Sequence, residues 1–466
     1  MRSDSYDIAV IGAGPGGYVA AIRAAQRGAK VALIEKEKVG GVCLHRGCIP
    51  TKAIIQSMHF YALMKRGDEF GIQCSDVEIN YPKVIARQQE LVSKLWKGIE
   101  TLLKTNRVEL ITGTAQLKGA GKISVSGPAA REIEAAKIIL AVGTVPARPA
   151  FARFDNRQVV TSDEALSIED VPENVAIIGA GSIGMEFAYV YSTLGCQVTV
   201  IEMADQVLPS EDPEISQVLQ QSLEKRGVNF RLSTKTAHAA QNTVTLESGE
   251  TIFADLILVA TGRQPLTDGF GELGIALEKN AVTVNDKMET TLPGVYAIGD
   301  ITGKAMLAHV ASAQGLVAAA NATGRLETIS YEAIPNCIYT IPEVAHVGIT
   351  EKQAKERGIA YEVGKFPFQA LGKAHIEGEP EGFVKLLMER SSEKILGLHM
   401  IGPSVSNLIA EGVLAIGLGA KASDLEKSIH AHPTLSESVM EAAAALYGQA
   451  IHTINRPKIS RQGNRI

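Results

Sequence analysis

Residues 6–36 read YDIAVIGAGPGGYVAAIRAAQRGAKVALIEK, and residues 173–203 read ENVAIIGAGSIGMEFAYVYSTLGCQVTVIEM. The two stretches align without a gap. Gly12 falls on Gly179, Gly14 on Gly181, Gly17 on Gly184 and Glu35 on Glu202. Each opens with an unbroken apolar run, the pattern of a parallel strand buried on both faces. A glycine turn follows, then a helix of small residues, then a second apolar strand that ends in Glu. One G-x-G-x-x-G motif is weak; two in this context define a duplicated dinucleotide-binding unit. The first glycine permits the tight turn, the second lets backbone approach a pyrophosphate, and the third lets the helix pack on its strand. The positive end of the helix faces the phosphates. Glu35 and Glu202 are placed to accept hydrogen bonds from ribose hydroxyls.

The units predict an α/β chain with two Rossmann-like domains. Residues 82–104 have helical periodicity, and 107–142 read as short strands with turns at Gly113, Gly119 and Gly121. The segment 137–149, KIILAVGTVPARP, ends in a Pro-rich stretch and marks a boundary. From about residue 331 the pattern changes to strands at 335–348, 361–367, 381–389 and 393–400, then helices. The expected division is a first dinucleotide domain at 1–149, a second at 150–267, a central domain at 268–334 and an α+β domain at 335–466. The tail holds Arg456, Lys458, Arg461 and Arg465 without an acid, and reads as a loosely packed end.

Composition agrees. The 466 residues carry a net charge of -5, with 46 basic and 51 acidic side chains. That speaks against nucleic-acid binding and against a basic membrane surface. No apolar run spans a bilayer, and no signal or transit pattern precedes the first strand, so a cytoplasmic protein is expected. No His/Cys cluster has zinc-ligand spacing.

Five cysteines are present, and two stand five positions apart in GGVCLHRGCIPTK at 40–52. In a reducing compartment such a pair beside two nucleotide folds is a redox pair rather than a structural one. Cys48 precedes a helical run, whose N-terminus stabilises a thiolate. His45 and Arg46 add positive potential. Because Cys43 and Cys48 follow the first unit directly, and a disulfide that exchanges electrons with a flavin must touch it, the first unit is expected to hold FAD. The second then takes the nicotinamide. Met203, Ala204 and Asp205 follow Glu202 with no Arg to meet a 2′-phosphate, which favours NAD.

With these motifs the chain resembles the FAD-dependent pyridine nucleotide–disulfide oxidoreductases, and within them the branch that oxidises dihydrolipoamide. GAGSIGMEFA at 179–188, ATGRQP at 260–265, VYAIGD at 295–300, YTIPEVAHVG at 339–348 and HAHPTLSE at 430–437 carry the likeness over almost the full length. The resemblance implies FAD, NAD, central and dimerisation domains, and a homodimer. It implies that Cys43 exchanges with substrate while Cys48 lies against the flavin, with Lys52 and Glu186 at its reactive edge. Asp300 and Ala308 are expected to contact FAD, and Ala115 to approach its adenine. Gly143, Ile183 and Gly262 are further expected cofactor-binding residues. The implied partners are dihydrolipoamide and the lipoyl domains of 2-oxo acid dehydrogenase complexes.

A disulfide reductase needs a proton acceptor, because the thiolate is the nucleophile. His432 is the candidate, oriented by Glu437 and contributed across a dimer interface; His430 reads as structural. Thr434 and Glu437 also fit a capping box at a helix start. A glutathione-reductase-like or mercuric-reductase-like activity is opposed by Glu202 and by the lack of any Cys after Cys337. A non-catalytic flavin-bearing subunit is opposed by the intact Cys43, Cys48 and His432. Val42, His45, Arg46 and Val310 depart from the commoner family residues.

Overall fold

The computed structural model describes residues 4–455. The basic residues Arg456, Lys458, Arg461 and Arg465 lie outside them.

Both copies of the duplicated stretch fold as the apolar runs dictate. Strand Asp4–Ile11 pairs in parallel with Val31–Glu35 on one side and with Arg131–Leu140 on the other. Helix Pro15–Gln26 makes the crossover. In the second copy, strand Asn174–Ile178 pairs in parallel with Gln197–Ile201 and with Leu256–Val259, and helix Ser182–Thr193 crosses. The first sheet has seven strands, including the short strand Val295–Ala297 that arrives beside Arg131–Leu140 from far along the chain. The second has five, all parallel. The expected helix at 82–104 is Tyr81–Thr105.

The C-terminal part is a five-stranded antiparallel sheet. Its strands Tyr361–Pro367, Phe383–Glu389 and Ile395–Gly402 match the sequence reading closely. Strand Asn336–Ile338 is one edge of this sheet. Helices Val405–Gly417 and Glu437–Leu446 cover it.

Several polar ties bind the second unit to this sheet. Just beyond the edge strand, the Tyr339 N–H donates to Glu186 at 3.1 Å. Deeper, Lys385 is 1% exposed and its ammonium meets Asp212 at 2.9 Å and Glu214 at 2.7 Å. Asp212, itself 0% exposed, also caps helix Pro213–Lys225 by accepting from Glu214 N–H at 3.1 Å.

Candidate active site

The two glycine turns repeat each other at atomic detail. Gly12 and Gly179 have φ of +97° and +107°, where a side chain is strained. A Cβ on Gly17 would lie 1.9 Å from the Gly12 carbonyl oxygen, and one on Gly184 would lie 1.9 Å from that of Gly179. These third glycines serve helix–strand contact and do not line the cavity. The middle glycines differ in kind. A Cβ on Gly14 or Gly181 would meet nothing within 4 Å, and both face the cavity at a helix N-terminus. The space a phosphate needs is built in.

The acid that ends each second strand is also duplicated. Glu35 accepts from Ala13 N–H at 2.8 Å and from Glu37 N–H at 2.9 Å. Glu202 accepts from Ala180 N–H at 2.7 Å and from Ala204 N–H at 2.8 Å. Each carboxylate therefore ties its own turn together. Each oxygen keeps a second lone pair for a ribose hydroxyl.

The cysteine segment is pressed onto the first turn. Gly40 N–H donates to the Ala13 carbonyl at 2.8 Å, and a Cβ on Gly41 would sit 2.6 Å from Gly14 Cα. Cys43 lies in helix Gly41–Arg46, and Cys48 opens helix Cys48–Lys65 as its first residue. Both are free thiols here, within hydrogen-bonding reach of each other. Their acidities diverge. The S–H of Cys43 donates to Cys48, which together with burial pushes the Cys43 thiol up. The same hydrogen bond, helped by the Lys52 charge against the cost of burial, brings Cys48 down to about 7. In the dithiol form Cys48 is the thiolate, stable above about 7 and protonated as pH falls through it. Iodoacetamide alkylation of Cys48 in the reduced protein should rise with pH around that midpoint while Cys43 stays slow. Peptide mass spectrometry checks this, and a midpoint at the ordinary thiol value overturns it.

Lys52, one helical turn beyond Cys48, meets both Glu186 oxygens at 2.8 Å and lies 4.8 Å from the Tyr339 ring centre. Glu186 is 3% exposed, so this cation is its compensation. A lysine of the first unit and a glutamate of the second are thus locked together beside the thiols.

All of this opens into one cavity of about 880 Å³. It is lined by Gly12, Gly14 and Glu35 of the first turn and by Gly179, Gly181, Ile183 and Glu202 of the second. Cys43, Cys48, Lys52, Glu186, Gly143, Gly262, Asp300 and Ala308 also line it. Ala115 does not; it lies in strand Thr114–Gly119 and packs against the first core. His45 and Arg46 face the cavity but are committed elsewhere, His45 to the Val39 carbonyl at 2.8 Å and Arg46 to Glu37 at 2.8 Å. The Arg46 charge on the thiols is correspondingly blunted. The sequence reading missed Asn336, Cys337, Thr144 and Arg263, which line the cavity too. Arg263 stands in the quoted motif ATGRQP; the other three carry no local signal.

His432 lies outside the cavity of its own chain, with its side chain 80% exposed. Its Nδ1 meets Glu437 at 2.9 Å, and Nε2 carries no hydrogen bond among the described residues. His430 has both nitrogens engaged, to the Ser428 carbonyl and to Glu411, each at 2.9 Å. The capping box is only half present. Glu437 accepts from Thr434 N–H at 2.8 Å, but helix Glu437–Leu446 starts after Ser436 and Thr434 does not cap it. Among the described residues there is no His/Cys/Asp/Glu cluster for a metal, and no helix long and apolar enough to cross a membrane.

The chain belongs to the pyridine nucleotide–disulphide oxidoreductases: the family model matches residues 6–315, and the model of the family's dimerisation domain matches 334–443. It is an enzyme chain of FAD- and NAD-using type, built to form a homodimer. Among its relatives, a dihydrolipoyl dehydrogenase of Bacillus subtilis is 41% identical over 96% of this chain and 99% of that one. A dihydrolipoyl dehydrogenase of Thermus scotoductus is 42% identical over 97% of this chain and 100% of that one. Among solved structures, LpdA from Mycobacterium tuberculosis superposes with a TM-score of 0.89 at 28% identity, over 95% of this chain and 99% of that one.

The cofactors fit what the residues offer. The cradle at Gly14 and Gly181, open to a phosphate, is what a dinucleotide requires. Gly181→Ala should fold normally, since its Cβ meets no atom, yet weaken NAD binding by roughly ten- to hundredfold, about 1–3 kcal/mol. Titration of the variant with NADH, read by fluorescence, checks this. An unchanged affinity overturns the assignment of the second turn.

Proposed function

We propose that this chain oxidises dihydrolipoamide, carried on lipoyl domains of 2-oxo acid dehydrogenase complexes in the cytoplasm, and passes the electrons to NAD. Residues 1–149 hold FAD, 150–267 hold NAD, 268–334 complete the FAD site, and 335–466 form the dimer. The observation that carries this reading is that both phosphate cradles and both thiols share one cavity.

The cycle begins with Cys43 and Cys48 joined as a disulfide. His432 of a second copy, its Nδ1–H turned to Glu437, takes a proton from one substrate thiol at Nε2. The thiolate attacks the Cys43 sulfur, and the Cys43–Cys48 bond breaks. Cys48 leaves as the thiolate, the role for which its raised acidity suits it. The second substrate thiol closes lipoamide and releases Cys43, which takes up the proton that this thiol gives up. Bound FAD and NAD supply the two-electron acceptor and the final hydride sink. Lys52, held by Glu186, keeps a positive charge beside the Cys48 thiolate as the electrons leave.

His432→Gln should slow dihydrolipoamide oxidation by about 10²–10⁴-fold with FAD still bound. The wild-type protein, assayed with dihydrolipoamide and glutathione against NAD and NADP, should turn over the dihydrolipoamide–NAD pair best. Near-normal turnover in the variant sinks the base assignment, and preference for glutathione sinks the substrate.

A further inference from the structure

Thr144, Arg263 and Asp300 come from three separate stretches of chain and meet at the cavity wall. Thr144 and Arg263 sit on the short antiparallel strands Thr144–Pro146 and Arg263–Pro265, whose pairing joins the first unit to the second. Asp300 lies in the short 3₁₀ helix Gly299–Thr302, behind the strand that arrives late in the first sheet.

Arg263 Nε donates to Thr144 Oγ1 at 2.8 Å, and Nη2 donates to the Thr144 carbonyl at 3.1 Å. Thr144 Oγ1 in turn donates to Asp300 Oδ2 at 3.0 Å. The direction of this line is forced. A guanidinium can only donate, so the hydroxyl accepts from it and spends its single proton on the carboxylate. Thr144 is 2% exposed, which keeps bulk water from supplying a substitute. Asp300 Oδ1 carries no hydrogen bond among the described residues, and the residue faces the cavity. Burial pushes the Asp300 carboxyl up; the Thr144 hydroxyl and the Arg263 charge act against that. The line therefore orients one oxygen and leaves the other for a ligand hydroxyl.

We propose that Arg263 is a positioning residue: through Thr144 it holds Asp300 so that Oδ1 accepts from a hydroxyl of bound FAD. A residue of the second unit thereby retains the cofactor of the first. This rests on the reading of Asp300 as an FAD contact.

The test uses purified holoenzyme and measures the FAD dissociation constant by the fluorescence of released flavin. Arg263→Met should raise it about 10–100-fold, the weight of one buried charge-assisted line. Thr144→Val should act in the same direction. The double variant should bind no more weakly than the worse single one, because each change cuts the same line. Arg263→Lys should recover only part, since an ammonium lacks the two-pronged geometry that grips both Thr144 oxygens. Asp300→Ala is the reference. If Asp300→Ala releases FAD while Arg263→Met and Thr144→Val retain it with the wild-type constant, the proposal fails and the Asp300 reading survives. Additive single effects overturn it as well, since Arg263 would then be a tie between the units. If Asp300→Ala itself retains FAD normally, the Asp300 reading fails and the proposal falls with it.

Discussion

Cys48→Ser should abolish dihydrolipoamide-dependent NAD reduction, by at least about 10³-fold, while the protein folds and keeps its FAD. Serine keeps the shape of the side chain with a smaller atom in place of sulfur, and Cys48 is the first residue of an 18-residue helix, so the substitution introduces no clash. The chemistry is another matter. Without Cys48 there is no disulfide for the substrate thiolate to attack, so Cys43 remains a thiol and the two-electron exchange never starts. Cys48 is also the thiol that its surroundings keep ionised. Long-wavelength absorbance on partial reduction should therefore vanish in Cys48→Ser. In Cys43→Ser that absorbance should persist while turnover is lost. Equal spectra for the two variants would contradict the unequal roles assigned to them.

The largest stability effect is expected at Lys385. Its ammonium, 1% exposed, is held by Asp212, Glu214 and Glu351. Methionine at this position keeps the stem and removes the charge. Asp212, at 0% exposure, is then a buried carboxylate without its cation. Stranding one partner of a buried pair costs about 3–5 kcal/mol. Lys385→Met should show that loss as an earlier transition in urea. Adding Asp212→Asn should recover part of it, because the amide oxygen still caps helix Pro213–Lys225 while the stranded charge is gone. If the double variant is less stable than the single one, stranding is not the cause.

The parts legible in the sequence were those written in contiguous residues. The glycine turns, the two cysteines and the His432–Glu437 pair each follow from spacing within a few dozen positions, and the structure brings most of them to one cavity. Strand positions in the C-terminal sheet were legible for the same reason. Contacts between remote segments were not. Asp212 and Lys385 are 173 positions apart, Thr144 and Asp300 156, and neither pair has a periodicity to reveal it. Arg46 faces the cavity but pairs with Glu37 at 2.8 Å, a contact that spacing along the chain does not reveal. Thr434 lies two residues before the helix cap at Ser436, and its hydroxyl turns to the Ala431 carbonyl. Asn336 and Cys337 were missed because they reach the cavity only through the docking of the C-terminal sheet on the second unit.

That docking has one more consequence. Strand Asn336–Ile338 ends its sheet, and an unshielded edge offers free N–H and C=O groups to any other extended chain. Here Glu186 takes the Tyr339 N–H, and Glu211, 4% exposed, accepts from the Asn336 side-chain amide at 3.0 Å. Both acceptors are buried, so side chains of the second unit cover this part of the border. Glu186, which anchors Lys52 beside the thiols, thus also occupies a backbone donor at the end of a sheet edge.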